Sequence, residues 1–349
     1  MSQCERDSLC VRGFRHLGGG GRCSYRNSPS AGELRTKMSA ESEGSYSVAV
    51  HGRCMIAHSF KGECFGPAQA LHGCTYVVDA IVEGPKLQTG ANYLVDICLA
   101  ERALHDALGC YHERNLDELD EIAGENATCE RVARAVWERM AAALPGPPAL
   151  TILRIVVHES DVAHVEYKRA LGDDAAPALY TVSVRGRFMA ARSLRGVRFS
   201  ESQQRLHGGT FVVDALFSGT TLENGPNYLI DICLAEELVR KATAPLQQTH
   251  LDGDSTVLLK AAGVANATAS GLAKALWTSI AHGLPPTHGL RGLKLVVAEH
   301  DASVAEYDGR LGHAPTPPMP MRSALERRLT EKEPPGYESG WPLLPPMTR

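Results

Sequence analysis

The sequence contains the same succession of motifs twice. Two runs in the first half, Leu71-His-Gly-Cys-Thr-Tyr-Val-Val-Asp and Asn92-Tyr-Leu-Val-Asp-Ile-Cys-Leu-Ala, return as Leu206-His-Gly-Gly-Thr-Phe-Val-Val-Asp and Asn227-Tyr-Leu-Ile-Asp-Ile-Cys-Leu-Ala. A chain of 349 residues has room for two copies of about 130 residues, each large enough to bury its own core. The sequence therefore predicts a tandem duplication, with repeat 1 at residues 44–172 and repeat 2 at residues 178–312.

Each repeat shows the same order of predicted elements. In repeat 1, four β-rich runs fall at residues 46–56, 74–83, 150–157 and 163–167. Asp96 precedes apolar residues at helical spacing and predicts one capped helix, and Asn126 or Thr128 predicts the cap of a second. The expected fold class is α+β, with each repeat a ββααββ unit in which an antiparallel sheet is backed by two helices.

Composition limits the classes of partner and the compartment. The net charge of -4 includes no basic stripe, which argues against nucleic acid and anionic membranes as partners. No run is long and apolar enough to span a bilayer. The ten cysteines are scattered among apolar residues, as reduced thiols are, so we expect a cytoplasmic protein.

Both ends of the chain differ in composition from the repeats. Residues 1–43 are rich in Gly, Ser and Arg and predict a disordered extension, or a transit segment that would direct the protein to an organelle. Residues 313–349 are rich in proline and predict a disordered tail.

Three residues of repeat 1 have the chemistry of a transition-metal site. His72 and Cys74 are two apart on a predicted strand, so their side chains leave the same face, and His58 lies near the end of the preceding antiparallel strand. Three protein ligands with an open fourth position are typical of a catalytic zinc. The alternative is that His72 is a turn residue and Cys74 a small buried thiol. The equivalent positions in repeat 2 hold Arg192, His207 and Gly209, so we expect one zinc per chain.

The order of these motifs resembles the 6-pyruvoyl-tetrahydropterin synthase and 6-carboxytetrahydropterin synthase family. The matching residues are an Ala-His ending strand one, Leu-His-Gly starting strand two, Asp96, an Asn-Leu-Asp before helix two and a Glu ending strand three. The resemblance implies tunnelling-fold (T-fold) domains that associate through sheet edges into closed barrels, and hence a homo-oligomer. It also implies that zinc is held by His58, His72 and, in place of the family's third histidine, Cys74.

The resemblance assigns further roles by position. Cys64 matches the catalytic cysteine, while His112 and Glu113 stand where the family has an Asp-His pair that activates it. Glu159 and, in repeat 2, Glu299 match the glutamate that anchors the pterin through two parallel N–H bonds. The counterparts of His112 and Glu113 in repeat 2 are Gln247 and Gln248, which cannot act as bases.

Three functions remain open at this point. The leading one is a zinc-dependent lyase that eliminates triphosphate from 7,8-dihydroneopterin triphosphate, with a pyruvoyl or a carboxy product, in the biosynthesis of pterins or of a queuosine precursor. The second is a pterin-binding protein of the same family that has lost the lyase step. The third is a uricase-like tandem T-fold oxidase, which would need no metal.

Overall fold

A computed structural model describes residues 44–312, except for residues 123, 197, 253–256, 286–288 and 301–302. The chain divides into two compact units near residue 180, each built mostly from one repeat. The predictions made for residues 1–43 and 313–349 lie outside the described residues.

Repeat 1 follows the predicted order of elements. It contains β1 (Tyr46–His58), β2 (His72–Gly84), α1 (Ile97–Gly109), β3 (Arg114–Asn115), α2 (Cys129–Ala143), β4 (Ile152–His158) and β5 (Ala163–Ala170). β1 pairs antiparallel with β2, which pairs antiparallel with β4, and the two-residue β3 adds a short parallel bridge to β1. The ββααββ prediction is confirmed, with β3 as an addition that the sequence pattern did not reveal.

Both main helices of repeat 1 begin at side-chain caps. Asp96 accepts a hydrogen bond from the backbone N–H of Cys98 at 2.9 Å, as predicted. Of the two candidate caps for α2, Thr128 is the one that caps it. Asn126 instead bonds the backbone of Lys61 in both directions, at 2.6 and 3.1 Å. This pair of bonds ties the start of α2 to the end of β1, where the candidate site lies.

The helices pack their apolar faces on one side of the sheet. Leu104 and Leu108 of α1 are almost fully buried, and burying such a side chain contributes about 1.5–3 kcal/mol. α1 approaches β1 so closely at Gly52 that a Cβ there would lie 2.7 Å from Leu108 Cδ1. A Cβ on the equivalent Gly186 of repeat 2 would lie 2.6 Å from Val239 Cγ1, so a helix approaches the first strand equally closely at the same place in both repeats.

Repeat 2 has the same architecture with two extra short helices. It contains β6 (Leu179–Arg192), α3 (Glu201–Gln204), β7 (His207–Gly219), α4 (Ile232–Thr243), β8 (Thr249–His250), α5 (Val257–Ala261), α6 (Ala269–Gly283), β9 (Gly292–His300) and β10 (Ser303–Arg310). β7 lies antiparallel between β6 and β9, and β8 bridges β6 in parallel. Asp231 and Thr268 cap α4 and α6, as Asp96 and Thr128 do in repeat 1.

The helices and the cysteines of the described ranges can be compared with the sequence-based expectations. None of the helices in the described ranges is long and apolar enough to cross a membrane. The cysteines within those ranges are all free thiols.

Candidate metal and ligand site

The two histidines predicted as metal ligands meet at the open end of the β1–β2 hairpin. The register of the hairpin places His58 directly opposite His72, and the two ring centroids are 4.5 Å apart. His58 is fully buried and its Nδ1 donates to the carbonyl of Ala127 at 3.0 Å. The Nδ1 of His72 donates to the carbonyl of Ala70 at 2.8 Å. Both rings are therefore fixed through Nδ1, which leaves Nε2 of each ring as the nitrogen that could bind a metal.

The Nε2 atom of His58 is buried and has no hydrogen-bond partner among the described residues. A buried polar atom without a partner costs about 1–3 kcal/mol, so an atom of this kind needs an explanation. Burial lowers the pKa of His58, with a further lowering from His72, so the imidazole is neutral at physiological pH. A neutral imidazole with Nδ1 bonded to a carbonyl and Nε2 free is the form that binds a transition metal.

Two phenylalanines cover the histidine pair. The ring of Phe60 lies 4.6 Å from that of His58 and 5.7 Å from that of His72. Phe65, in the 3-10 segment Glu63–Gln69, packs on Phe60 at 4.7 Å. The phenylalanine rings thus pack beside the fully buried His58, while His72 remains partly exposed.

Cys74 lies on the same face of β2 as His72, two residues along the strand. Its thiol neighbours the hydroxyl of Tyr76, and burial raises the pKa of the thiol to about 11. Within the described ranges, no three His, Cys, Asp or Glu side chains lie close enough together to form a ready-made metal site. The structure thus brings His58 and His72 together, while the Cys74 thiol is protonated and not yet in the ligand position.

Glu159 follows β4 directly and is half buried beside this cluster. It accepts a hydrogen bond from the thiol of Cys129 at 3.5 Å, and its charge raises the pKa of His58, against the larger lowering by burial. Cys129 is the first residue of α2 and is buried, and burial holds the pKa of its thiol well above the usual range. Sequence reasoning did not identify Cys129, because nothing in the α2 sequence distinguishes it from an ordinary core residue.

Cys64 is exposed, in the same 3-10 segment as Phe65. The segment begins after Gly62, whose φ of 124° turns the chain away from β1. Cys64 thus lies on the loop that covers the histidine pair, and its thiol is accessible to solvent and ligands.

His112 makes a backbone hydrogen bond that is repeated in the second copy. Its Nδ1 accepts from the N–H of Met55 at 3.2 Å. In repeat 2, Oε1 of Gln247 accepts from the N–H of Met189 at 2.9 Å. His112 and Gln247 thus accept the equivalent backbone hydrogen bond in the two repeats. Because Nδ1 of His112 is the acceptor, the proton of the neutral ring is on Nε2.

Glu113 occupies a left-handed backbone position that is also duplicated. Its φ is 58°, and its N–H donates to the carbonyl of Met55 at 2.8 Å. Gln248, with φ of 57°, makes the same bond to Met189 at 2.6 Å. The backbone geometry at this position therefore does not depend on a carboxylate.

In repeat 2 the position that matches His58 holds Arg192, and its guanidinium lies where repeat 1 has the histidine ring. Arg192 is buried, and its NH2 group lies 2.5 Å from Oε1 of Glu299. The carboxylate for which the resemblance implied a role in pterin binding is therefore paired with arginine within its own repeat. The sequence places Arg192 at the position that matches the predicted ligand His58, but it does not show that the side chain turns inward and pairs with Glu299.

Two consecutive ββααββ units, each with its helices on one face of an antiparallel sheet, define a tandem T-fold protein. The family model described as 6-pyruvoyl tetrahydropterin synthase matches residues 47–170 and 181–310. These segments cover more than half of the chain, which therefore belongs to the 6-pyruvoyl tetrahydropterin synthase family.

The chain is similar to several solved structures at low sequence identity. The chain is 18% identical to 6-pyruvoyl tetrahydropterin synthase of Caenorhabditis elegans, with 34% of this chain and 91% of that one covered and a TM-score of 0.31. The chain is 15% identical to 6-pyruvoyl tetrahydropterin synthase of Plasmodium falciparum, with 38% of this chain and 98% of that one covered and a TM-score of 0.32. The chain is 8% identical to uricase from Arthrobacter globiformis, with 80% of this chain and 98% of that one covered and a TM-score of 0.41. No curated protein matches the chain.

Proposed function

We propose that repeat 1 is a zinc-dependent tetrahydropterin synthase-type lyase that acts on 7,8-dihydroneopterin triphosphate. Membership of the family supports a function of the tetrahydropterin synthase type. The observation that carries the metal site is the buried Nε2 of His58, which has no partner among the described residues and lies beside His72.

In this proposal, His58 and His72 hold the ion through Nε2, and Cys74 completes the set. Because burial raises the pKa of Cys74 to about 11, its proton must leave when the metal binds, and metal affinity should rise with pH. When bound, zinc supplies Lewis acidity to hydroxyl groups of the substrate side chain. The carbonyls of Ala127 and Ala70 keep both imidazoles in the tautomer that ligation needs.

The remaining residues of repeat 1 bind the substrate and move protons. Glu159 accepts two parallel N–H bonds from the pterin ring, and Cys129 holds the carboxylate in place through its S–H. Cys64, on the exposed covering loop, supplies the thiol for proton transfer. His112 carries a proton on Nε2 because Met55 occupies its Nδ1, and Glu113 is the adjacent carboxylate. A base must lie within hydrogen-bond reach of its proton, so we propose that these exposed residues act when substrate joins them to Cys64.

Repeat 2 contributes no catalytic groups in this proposal. It completes the T-fold assembly, and we propose that chains associate through their sheet edges into a homo-oligomer. The oxidase alternative has no residue in its favour, since the likeness to uricase is one of fold alone.

A pterin-binding protein without lyase activity is the second candidate. It is favoured by one observation: His112 and Glu113 hold backbone positions that Gln247 and Gln248 hold equally well in repeat 2. In this case His112 and Glu113 would be structural residues only.

One set of measurements separates these functions. The full chain is purified without chelator, its zinc content is measured, and it is incubated with 7,8-dihydroneopterin triphosphate while triphosphate release is followed. The synthase proposal predicts zinc and triphosphate release in the wild type, and loss of both in His58→Ala and His72→Ala. His105→Ala, which removes an exposed histidine of α1, is the matched control and should change neither. Pterin binding without triphosphate release would select the second candidate, and absence of both activities would contradict the proposal.

A further inference from the structure

The end of the β6–β7 hairpin in repeat 2 repeats the histidine site with one change. Arg192 lies opposite His207 in the register, as His58 lies opposite His72. The Nδ1 of His207 donates to the carbonyl of Arg205 at 2.8 Å, the bond that His72 makes to Ala70. The hairpin register and the second histidine are therefore the same in both copies, and an arginine stands where repeat 1 has its first histidine.

The guanidinium of Arg192 contacts the atoms that surround the metal position. Its Nε donates to Nε2 of His207 at 3.4 Å, and NH1 donates to the carbonyl of Ala267. That carbonyl is the counterpart of Ala127, which accepts from His58 in repeat 1. NH2 forms the 2.5 Å ion pair with Glu299. The buried guanidinium of Arg192 thus contacts three groups: Nε2 of His207, the carboxylate of Glu299 and the carbonyl of Ala267 just before α6.

The residues around Arg192 differ from those of repeat 1, and one of them, Phe211, presents its ring to the guanidinium. The guanidinium lies 5.1 Å from the centroid of the Phe211 ring, in the range of a cation–π contact. Repeat 1 has Tyr76 at this position and Cys74 two residues before it, where repeat 2 has Gly209. A Cβ on Gly209 would lie 3.7 Å from Oε1 of Glu299, which is ordinary van der Waals contact. Gly209 therefore lacks the side chain that Cys74 has in repeat 1, although a Cβ would fit there.

We infer that the guanidinium of Arg192 takes the place of a metal ion in repeat 2, where it organises His207, Glu299 and the carbonyl of Ala267 as a permanent internal cation. The comparison with an ion rests on the metal site proposed for repeat 1. An arginine remains charged at any physiological pH and needs no ligand to lose a proton. Repeat 2 should therefore keep its structure when zinc is absent, and its glutamate is neutralised within the repeat.

The first test compares Arg192→Met with Arg192→Lys in the full chain, by thermal unfolding with and without a chelator. Methionine keeps the length of the side chain without the charge and leaves Glu299 unpaired. Loss of one partner of a buried ion pair should lower the Tm of Arg192→Met by about 10 °C, equally with and without chelator. Lysine keeps the charge and should lower the Tm less. An Arg192→Met protein as stable as the wild type would overturn the inference.

The second test restores the ligand set of repeat 1 in repeat 2. Arg192→His combined with Gly209→Cys should bind one more zinc per chain than the wild type, and added zinc should raise its Tm. Gly209→Cys alone is the matched control and should bind no extra zinc, because the guanidinium still fills the position. If the double variant binds no more zinc than this control, the equivalence with a metal is wrong. If instead the wild type binds no zinc, the proposed function of repeat 1 fails, while the stability of Arg192→Met still decides whether the internal cation exists.

Discussion

The most informative perturbation transfers the arginine of repeat 2 into repeat 1. His58→Arg combined with Cys74→Gly gives repeat 1 the residues that Arg192 and Gly209 provide in repeat 2. The new guanidinium would face Glu159 and the carbonyl of Ala127, as Arg192 faces their counterparts. We expect a folded protein that binds no zinc and releases no triphosphate.

The expected stabilities follow from the buried nitrogen of His58. Without metal, the unpartnered Nε2 costs the wild type about 1–3 kcal/mol, a cost that the arginine variant does not have. The metal-free variant should therefore be at least as stable as the metal-free wild type. At free zinc 100 times its dissociation constant, the wild type should gain about 2.7 kcal/mol and the variant nothing.

Urea unfolding followed by circular dichroism, with and without zinc, measures both differences. Cys74→Gly alone is the control for the space that the thiol leaves. The reasoning is refuted if the double variant still binds zinc, or if its metal-free form is less stable than the metal-free wild type by more than Cys74→Gly alone accounts for.

Three other changes test separate residues. His112→Gln should leave the Tm unchanged, because glutamine makes the same backbone bond in repeat 2, but lower kcat by roughly 100-fold or more if the imidazole moves a proton; an unchanged kcat would make the residue structural only. Glu159→Gln should weaken pterin binding by about 10- to 100-fold, measured by calorimetry, through loss of a charge-assisted bond pair, and unaltered affinity would remove it from the site. Burial raises the pKa of Asp79, but hydrogen bonds from His51 and His158 lower it more, to a net value below its usual range. Asp79→Asn should therefore be less stable than the wild type at neutral pH; the difference should begin to shrink as the pH falls below about 4, the value for an unfolded aspartate, and should vanish only below the lowered pKa of the folded carboxyl. A difference that does not depend on pH would contradict this.

Local sequence signals were sufficient for the fold. The strand alternation, the cap at Asp96 and the apolar spacing of the helices each act within a few residues, and the structure confirms the elements that they predict. Alternation also places His72 and Cys74 on one face of β2, but it leaves the register open, because a shift by two residues keeps the same faces buried. That His58 lies directly opposite His72 is seen only in the structure.

The site could be predicted only in part, since its details depend on contacts between distant positions. The carbonyl that receives Arg192 is 75 positions further along the chain, and the N–H that bonds His112 is 57 positions away. The hydrogen bond between Cys129 and Glu159 likewise depends on how α2 packs against the sheet. No pattern within a single element encodes such contacts.

Crystals of the full chain grown with zinc, with anomalous diffraction recorded at the zinc absorption edge, test the central claim most directly. We expect one anomalous peak per chain, about 2.0–2.1 Å from Nε2 of both His58 and His72, and none at Arg192. A peak at Arg192, or no peak at the histidine pair in zinc-saturated crystals, would contradict it.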